Sequence, residues 1–253
     1  MWWAGADRAR VYLGVASAGV QTGGRAAATR WVQADAPAGA FERALRSIEP
    51  GAVRRLGRRA IEVHLSGALA RPFMLDAVAG MNSWPEALQV AGALAPEATG
   101  LAGPCAVWLD AWVPGQRCVA VAMEAALRDQ IEQIARAARL RIATLRPWWC
   151  AAIDSARAHL LEPARLLAVE DGDSLTLLTA PDGDDYAALA THAPGPGPVQ
   201  ARAVLARAAM AMNLQPGDIA WASMRTLSTS AASDESIAGC LPSSLTPSVE
   251  RWR

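Results

Sequence analysis

A short strand, a turn of small and glycine residues, and a returning strand occur twice in this chain, at 10–34 and at 165–191. A stretch of alternating helices and strands separates them. Each such element must bury one face, which with the helices between asks for an α/β architecture, and 253 residues allow either one large domain or two intimate subdomains. The copies share no identity that would make them a sequence repeat; the recurrence is one of pattern.

The first copy reads RVYLGVA (10–16), β-branched and aromatic, with RAAATRWVQA (25–34) as its hairpin partner across a turn at QTGG. The second reads LLAVED, SLTLLTA and DYAALAT, three short strands separated by EDGD and PDGDD turns. Between the copies, Phe41, Leu45 and Ile48 recur at helical spacing over 38–48. In RRAIEVHLS (58–66), Ile61, Val63 and Leu65 alternate with Glu62 and His64, which predicts a half-buried strand with His64 on its wetter face. ARPFMLDAV suits an edge strand, because Pro72 lacks the ladder donor. A helix at 84–95 with Pro85 in its first turn precedes a loop at 95–104.

AVWLDAWV (106–113) and RCVAVAM (117–123) form two strands about a Pro114–Gly115 turn. A helix follows at 124–139, with Leu127, Ile131, Ile134 and Ala138 on one face, then a strand at 140–147 ended by proline, then a helix at 148–160. After DYAALAT, PGPGP (194–198) is a rigid break, VQARAVLARAAMAMNL is helical and DIAWASMRTL (218–227) is a last strand. The organisation expected is a first subdomain at 1–160 carrying an inserted small α/β unit at about 60–146, a reduced second subdomain at 161–227, and a loosely held tail at 228–253, polar and proline-punctuated.

With 52% apolar residues over 253 positions the chain can bury a substantial core. It has no lysine, a bias that points to a GC-rich bacterial genome and excludes a GxxxxGK[ST] phosphate loop or a Schiff-base amine. The 24 arginines balance 24 acidic residues, so no overall field draws the protein to nucleic acid or an anionic membrane. The basic cluster of Arg54, Arg55, Arg58 and Arg59 reads as a solvated helix end or loop, with a phosphate patch as the alternative.

Cys105, Cys118, Cys150 and Cys240 and the three histidines are scattered, so no zinc spacing exists. MWWAGADRAR has no apolar leader region and no long apolar run occurs, so the expectation is a reduced, cytoplasmic protein without direct membrane insertion. His64 with Asp110, or Cys150 with His159, are nameable enzyme pairs without a supporting motif; G-x-S-x-G and H-E-x-x-H are both missing.

The layout over 9–227, with LGVASAGVQTG and LLAVEDGDSLTLL, resembles the actin-like (ribonuclease H-like) ATPases, and among them the PilM and GspL-type assembly proteins of type IV pili and type II secretion. In that family the opening strand ends in a phosphate loop of the form LGIDIGSSSVK. Leu13, Gly14 and Val15 fit it; the metal-linked aspartate falls on Ala16, the loop glycine on Ala18 or Gly19, and the lysine on Thr22 or its neighbour.

The middle of the chain matches better, with Arg139 where the family's return strand has glycine. The second loop retains Gly172, with Glu170 or Asp171 near the acidic position and Thr176 on the returning strand. The resemblance implies a nucleotide site, if retained, at Gly14, Ser17, Gly19, Asp171, Gly172 and Thr176.

A triphosphate needs a cation and glycine-turn amides to offset its charge. Ala16 offers no ligand, and Glu170, Asp171 and Asp173 cluster acid on the second turn, which without a cation repels phosphate. The expectation is therefore no catalytic residue, no metal ligand, and no cofactor, ATP with magnesium being the disfavoured exception.

What the resemblance implies for function is a scaffold docking the cytoplasmic tail of a PilN-like inner-membrane protein in a groove between subdomains. An ATP-binding or kinase-like relative is the alternative. Ten tryptophans against two tyrosines and two phenylalanines supply core and anchors. Trp84, Trp108 and Trp112 are candidates for a partner groove, and Trp2–Trp3 sit at an untethered terminus.

Overall fold

The computed structural model describes residues 9–22, 29–48, 59–78, 80–160, 164–180, 187–193, 198–224 and 247–251. The first sheet is built around β1 (Ala9–Leu13). β1 turns at 14–16 and returns as β2 (Ser17–Gln21), with Leu13 opposite Ala18 and Tyr12 opposite Gly19. β3 (Thr29–Gln33) continues the antiparallel ladder, while β4 (Arg59–Leu65) and β8 (Leu140–Pro147) add in parallel on the other side, giving the order β3-β2-β1-β4-β8.

The expected hairpin partner at 25–34 therefore pairs with β2 rather than with β1. SAGVQ reads as a turn because its residues are small, yet it is a strand packed tightly on both faces. Ala18 and Val20 are buried in the same core as Phe41, and a Cβ on Gly19 would stand 3.1 Å from the Trp31 ring. Gly23 and Gly24 of the QTGG turn lie outside the described residues, as do Trp2–Trp3, Arg54, Arg55, Arg58, Cys240 and PDGDD.

The second sheet repeats this plan. β9 (Leu166–Glu170), β10 (Leu175–Thr179) and β11 (Ala187–His192) run antiparallel in succession, β12 (Ile219–Ser223) joins β9 in parallel, and the order is β11-β10-β9-β12-β13. The fifth strand, β13 (Ser248–Arg251), pairs antiparallel with β12, where the first sheet has a parallel strand. Residues 248–251 thus belong to the fold and not to the loosely held tail expected over 228–253. The Arg251 guanidinium donates to the Gly217 carbonyl, which fixes the end of the strand.

Helix α1 (Pro37–Arg46) leads from β3 towards β4 and buries Ala40, Phe41, Ala44 and Leu45, the apolar face of a 3.6-residue period. Proline at its start costs no hydrogen bond, since the first amides of a helix have no intrahelical acceptor. α5 (Pro198–Ala211) takes the equivalent place between β11 and β12, covering one face of the second sheet with Ala201 and Leu205.

A separate three-stranded sheet, β5-β7-β6, is inserted between β4 and β8. It comprises β5 (Arg71–Leu75), β6 (Cys105–Leu109) and β7 (Cys118–Glu124). One face is covered by α2 (Trp84–Thr99), whose Ala87, Ala91 and Ala95 pack with Phe73, Leu75 and Ala120. The small sheet starts and ends inside the boundaries expected at about 60 and 146, because β4 and β8 hydrogen-bond to each other in the first sheet.

α2 also runs through Pro96 to Thr99, past the expected end at Ala95. It begins at a Ser83–Glu86 capping box and ends at Gly100, whose φ of 67° suits a residue without Cβ. β5 packs beside β11, so the insert rests against the second sheet.

α3 (Ala125–Ala137) returns the chain to β8, burying Leu127, Ile131 and Ala135, whereas Ala138 is exposed. α4 (Trp148–His159) then links the halves. Trp148 and Trp149 are buried at its start, and the main core they join also takes in Leu167, Val169, Leu178, Ala220 and Ala222 of the second sheet. That continuity brings the two β-hairpins face to face.

Candidate functional site

The turns β1–β2 and β9–β10 meet in one crevice, where Asp171 and Asp173 of the second turn bond to backbone and side-chain donors of the first half. Asp173 Oδ2 accepts from the Val15 N–H at 2.8 Å. Asp171 Oδ2 accepts from the Gly67 N–H at 2.6 Å, and Asp171 Oδ1 accepts from Ser66 Oγ at 3.1 Å, both just beyond β4. The Tyr12 hydroxyl donates to the Asp171 carbonyl at 2.8 Å.

Asp171 also organises its own turn, accepting from the Asp173 N–H at 3.2 Å and from the Ser174 N–H at 2.9 Å. That pattern is how an aspartate mimics backbone in a tight turn. Gly172 has φ of 91°, a conformation that excludes a Cβ at little cost only in glycine.

Two glycines of the first half permit this approach. A Cβ on Gly14 would lie 2.1 Å from Asp173 Oδ2, and one on Gly67 would lie 2.5 Å from both Ser174 Oγ and Thr176 Oγ1.

Burial is the main electrostatic influence here. It pushes Asp171 up to about 6 against the opposing pull of the Gly67 and Ser174 donors, with the neighbouring Asp173 charge adding to the rise. Asp173 is raised as well, by burial, while the Val15 N–H and the Tyr12 hydroxyl lower it. Tyr12 is held well above its ordinary value by burial first, then by the two carboxylates.

Of the residues proposed for a nucleotide, Gly14, Ser17, Asp171, Gly172 and Thr176 lie at or beside this junction, and Gly19 does not. Gly14 donates to the Ser17 carbonyl at 2.8 Å and so closes its own turn. Gly19 is four residues into the β1–β2 return, in mid-strand under Trp31, where it lets Tyr12 and Trp31 meet edge to face at 5.7 Å. Thr176 is buried beside Thr191, with Oγ–Oγ at 3.4 Å.

Sequence reading missed Tyr12, Ser66, Gly67 and Ser174. The available signal was the small pair Ser66–Gly67 directly after the β4 alternation.

The residues present do not fit a nucleoside triphosphate with its magnesium. The Val15 amide is taken by a carboxylate, Ala16 is exposed with no ligand atom, and the Asp171 and Asp173 carboxylates are engaged by the Gly67, Ser66 and Val15 donors instead of facing a cation.

The other nameable chemistry is not assembled. His64 shares its face with Arg10, Glu62 and Arg146 but is only 5% exposed, in contrast to the wetter position expected of it. Its Nδ1 has no hydrogen-bond partner, and burial, followed by Arg146 and Arg10, drives its pKa down to about 3. His64 therefore stays a neutral packing residue, unpaired with Asp110. Burial pushes the Cys150 thiol up to about 12. His159 is exposed nine residues along the same helix, where it donates to or accepts from its own helix around Ser155.

The three tryptophans separate into two places. Trp84 at the start of α2 and Trp112 after β6 meet edge to face at 6.2 Å on the α2 side of the small sheet, with Trp84 44% exposed. Trp108 packs on the opposite side, against the main core.

No protein-family model matches the sequence, and no curated protein is a significant match. Solved structures do match. The PilM–PilN type IV pilus biogenesis complex aligns with TM-score 0.52 at 15% identity, over 83% of this chain and 66% of that one. A Bacteroides thetaiotaomicron protein with actin-like ATPase fold and unknown function aligns with TM-score 0.54 at 8% identity, over 88% of this chain and 84% of that one. The cytoplasmic domain of EpsL, an inner membrane component of the type II secretion system of Vibrio cholerae, aligns with TM-score 0.43 at 11% identity, over 72% and 70%. Two sheets of matching plan, hairpin turns meeting across one crevice and the small inserted sheet thus make this an actin-like α/β fold.

Proposed function

We propose that the protein is a non-enzymatic scaffold of a pilus or type II secretion assembly, which docks the cytoplasmic tail of a PilN-like inner-membrane protein and is recruited to the inner membrane through it. The observation that carries the reading is the carboxylate of Asp173 on the Val15 amide, where an actin-like ATPase would need to receive phosphate. A fold that keeps its two-hairpin crevice while filling it with its own acid is suited to presenting surfaces, not to turnover.

The likeness to PilM in its complex with PilN supports the choice of partner. Among the described residues no helix is long and apolar enough to cross a membrane. An extended tail held in a preformed cleft needs no chemistry from its host.

The test is co-purification and calorimetric titration of the full chain with the cytoplasmic segment of each single-span PilN-like protein encoded beside it. A saturable one-to-one complex is expected. Failure of every such segment to bind would overturn the scaffold reading.

A further inference from the structure

We propose that Asp171 and Asp173 form a built-in clasp: the second hairpin turn supplies carboxylates to amides of the first half, so the crevice is held shut by the chain itself and needs no nucleotide to close. The proposal rests on the fit of the crevice described above but not on which partner the protein serves.

Three observations converge on it. First, four hydrogen bonds cross the junction, from Val15 N–H, Gly67 N–H, Ser66 Oγ and the Tyr12 hydroxyl, and each joins residues more than 100 positions apart. Three of the four end on a carboxylate, an acceptor that binds more strongly when ionised, and the bonds of Tyr12, Ser66 and Gly67 are buried while that of Val15 is exposed.

Second, the two glycines are needed at the two points of closest approach. With Cβ atoms projected 2.1 Å from Asp173 Oδ2 and 2.5 Å from Ser174 Oγ, any side chain at 14 or 67 would have to displace the Asp173 carboxylate or the Ser174 and Thr176 hydroxyls from their present places.

Third, the clasp is shaped before it engages. Asp171 Oδ1 holds the Asp173 and Ser174 amides of its own turn, so the Asp171 carboxylate and the backbone that carries Asp173 are fixed by local bonds that owe nothing to the first half. A turn fixed in this way loses little freedom on closing, which favours the closed state.

Site-resolved hydrogen exchange on the full chain tests the clasp, with Asp173→Ala and Asp173→Asn beside the unaltered protein, each with and without millimolar ATP and magnesium. In the unaltered protein the Val15 and Gly67 amides should be protected without nucleotide, and nucleotide should leave their rates unchanged. Asp173→Ala should speed Val15 exchange roughly 10- to 100-fold relative to Val63 and Val169 in the sheet centres, the loss expected of a hydrogen bond to a charged group. Asp173→Asn, whose side-chain carbonyl still accepts, should recover much of that protection.

The clasp is overturned if Val15 exchanges freely in the unaltered protein, or if nucleotide raises its protection. A single common acceleration at all four amides in Asp173→Ala, with Asp173→Asn no better, also overturns it. Should Asp173→Ala not fold, the unaltered protein and Asp173→Asn decide the matter. Protected amides without any captured partner would count against the scaffold alone, and a captured partner with unprotected amides against the clasp alone.

Discussion

Arg139 follows α3 with φ of 57°, in the left-handed region where a Cβ crowds the next carbonyl. Glycine, which the family pattern has at this position, relieves that strain, so Arg139→Gly is expected to stabilise the fold by about 1 kcal/mol in urea unfolding. The opposite change suits Gly67. Gly67→Ala must displace Ser174 and Thr176, and a loss of about 1–3 kcal/mol is expected by the same measurement.

Asp171 sets a pH dependence. Its pKa in the folded protein, about 6, lies above its unfolded value near 3.8, so the folded state binds the extra proton between these limits. The contribution to stability is full below pH 4 and is lost as pH rises through 6. From this pair the protein gains stability as pH falls from 7 towards 4, by roughly 3 kcal/mol at most. Urea midpoints across that range should rise on acidification, and Asp171→Asn should remove much of the rise at the cost of a weaker bond to Gly67.

At the level of elements, β2 and β13 show how pairing overrides local composition. SAGVQ has little strand propensity, but its small residues are what a central strand under Trp31 and beside Phe41 requires. β13 looks like part of a polar tail, yet without it β12 would be an unpaired edge. Removing residues 247–253 exposes that edge and should lower the melting temperature by about 4–8 °C, as a loss of roughly 2 kcal/mol would. An unchanged melting temperature would mean that β13 contributes nothing to stability.

Across the whole molecule, the main core does not stop at the crevice. Residues of the first sheet, of α4 and of one face of the second sheet form a single buried cluster, while the insert and the α5 face have cores of their own. The two halves should therefore unfold together, in one calorimetric transition whose midpoint ATP with magnesium leaves unmoved, since a ligand stabilises only a state it binds. Two transitions separating the halves would contradict a shared core and a shut crevice alike.

The sequence by itself determined the twofold plan and the order of elements apart from β2 and β13, because periodicity records which face of each strand or helix is buried. It also made Ala16 legible as a position without a metal ligand, and the EDGD turn legible as acidic. Tertiary structure alone decided what those acids do.

Nothing local to Asp173 says that it reaches Val15, 158 positions away, and nothing local to Gly67 says that Ser174 will lie where its side chain would be. Hydrophobic pattern is a property of neighbours along the chain. The clasp is a property of two hairpins brought together by one core to which both contribute, Leu13 and Val20 from the first and Val169 and Leu178 from the second.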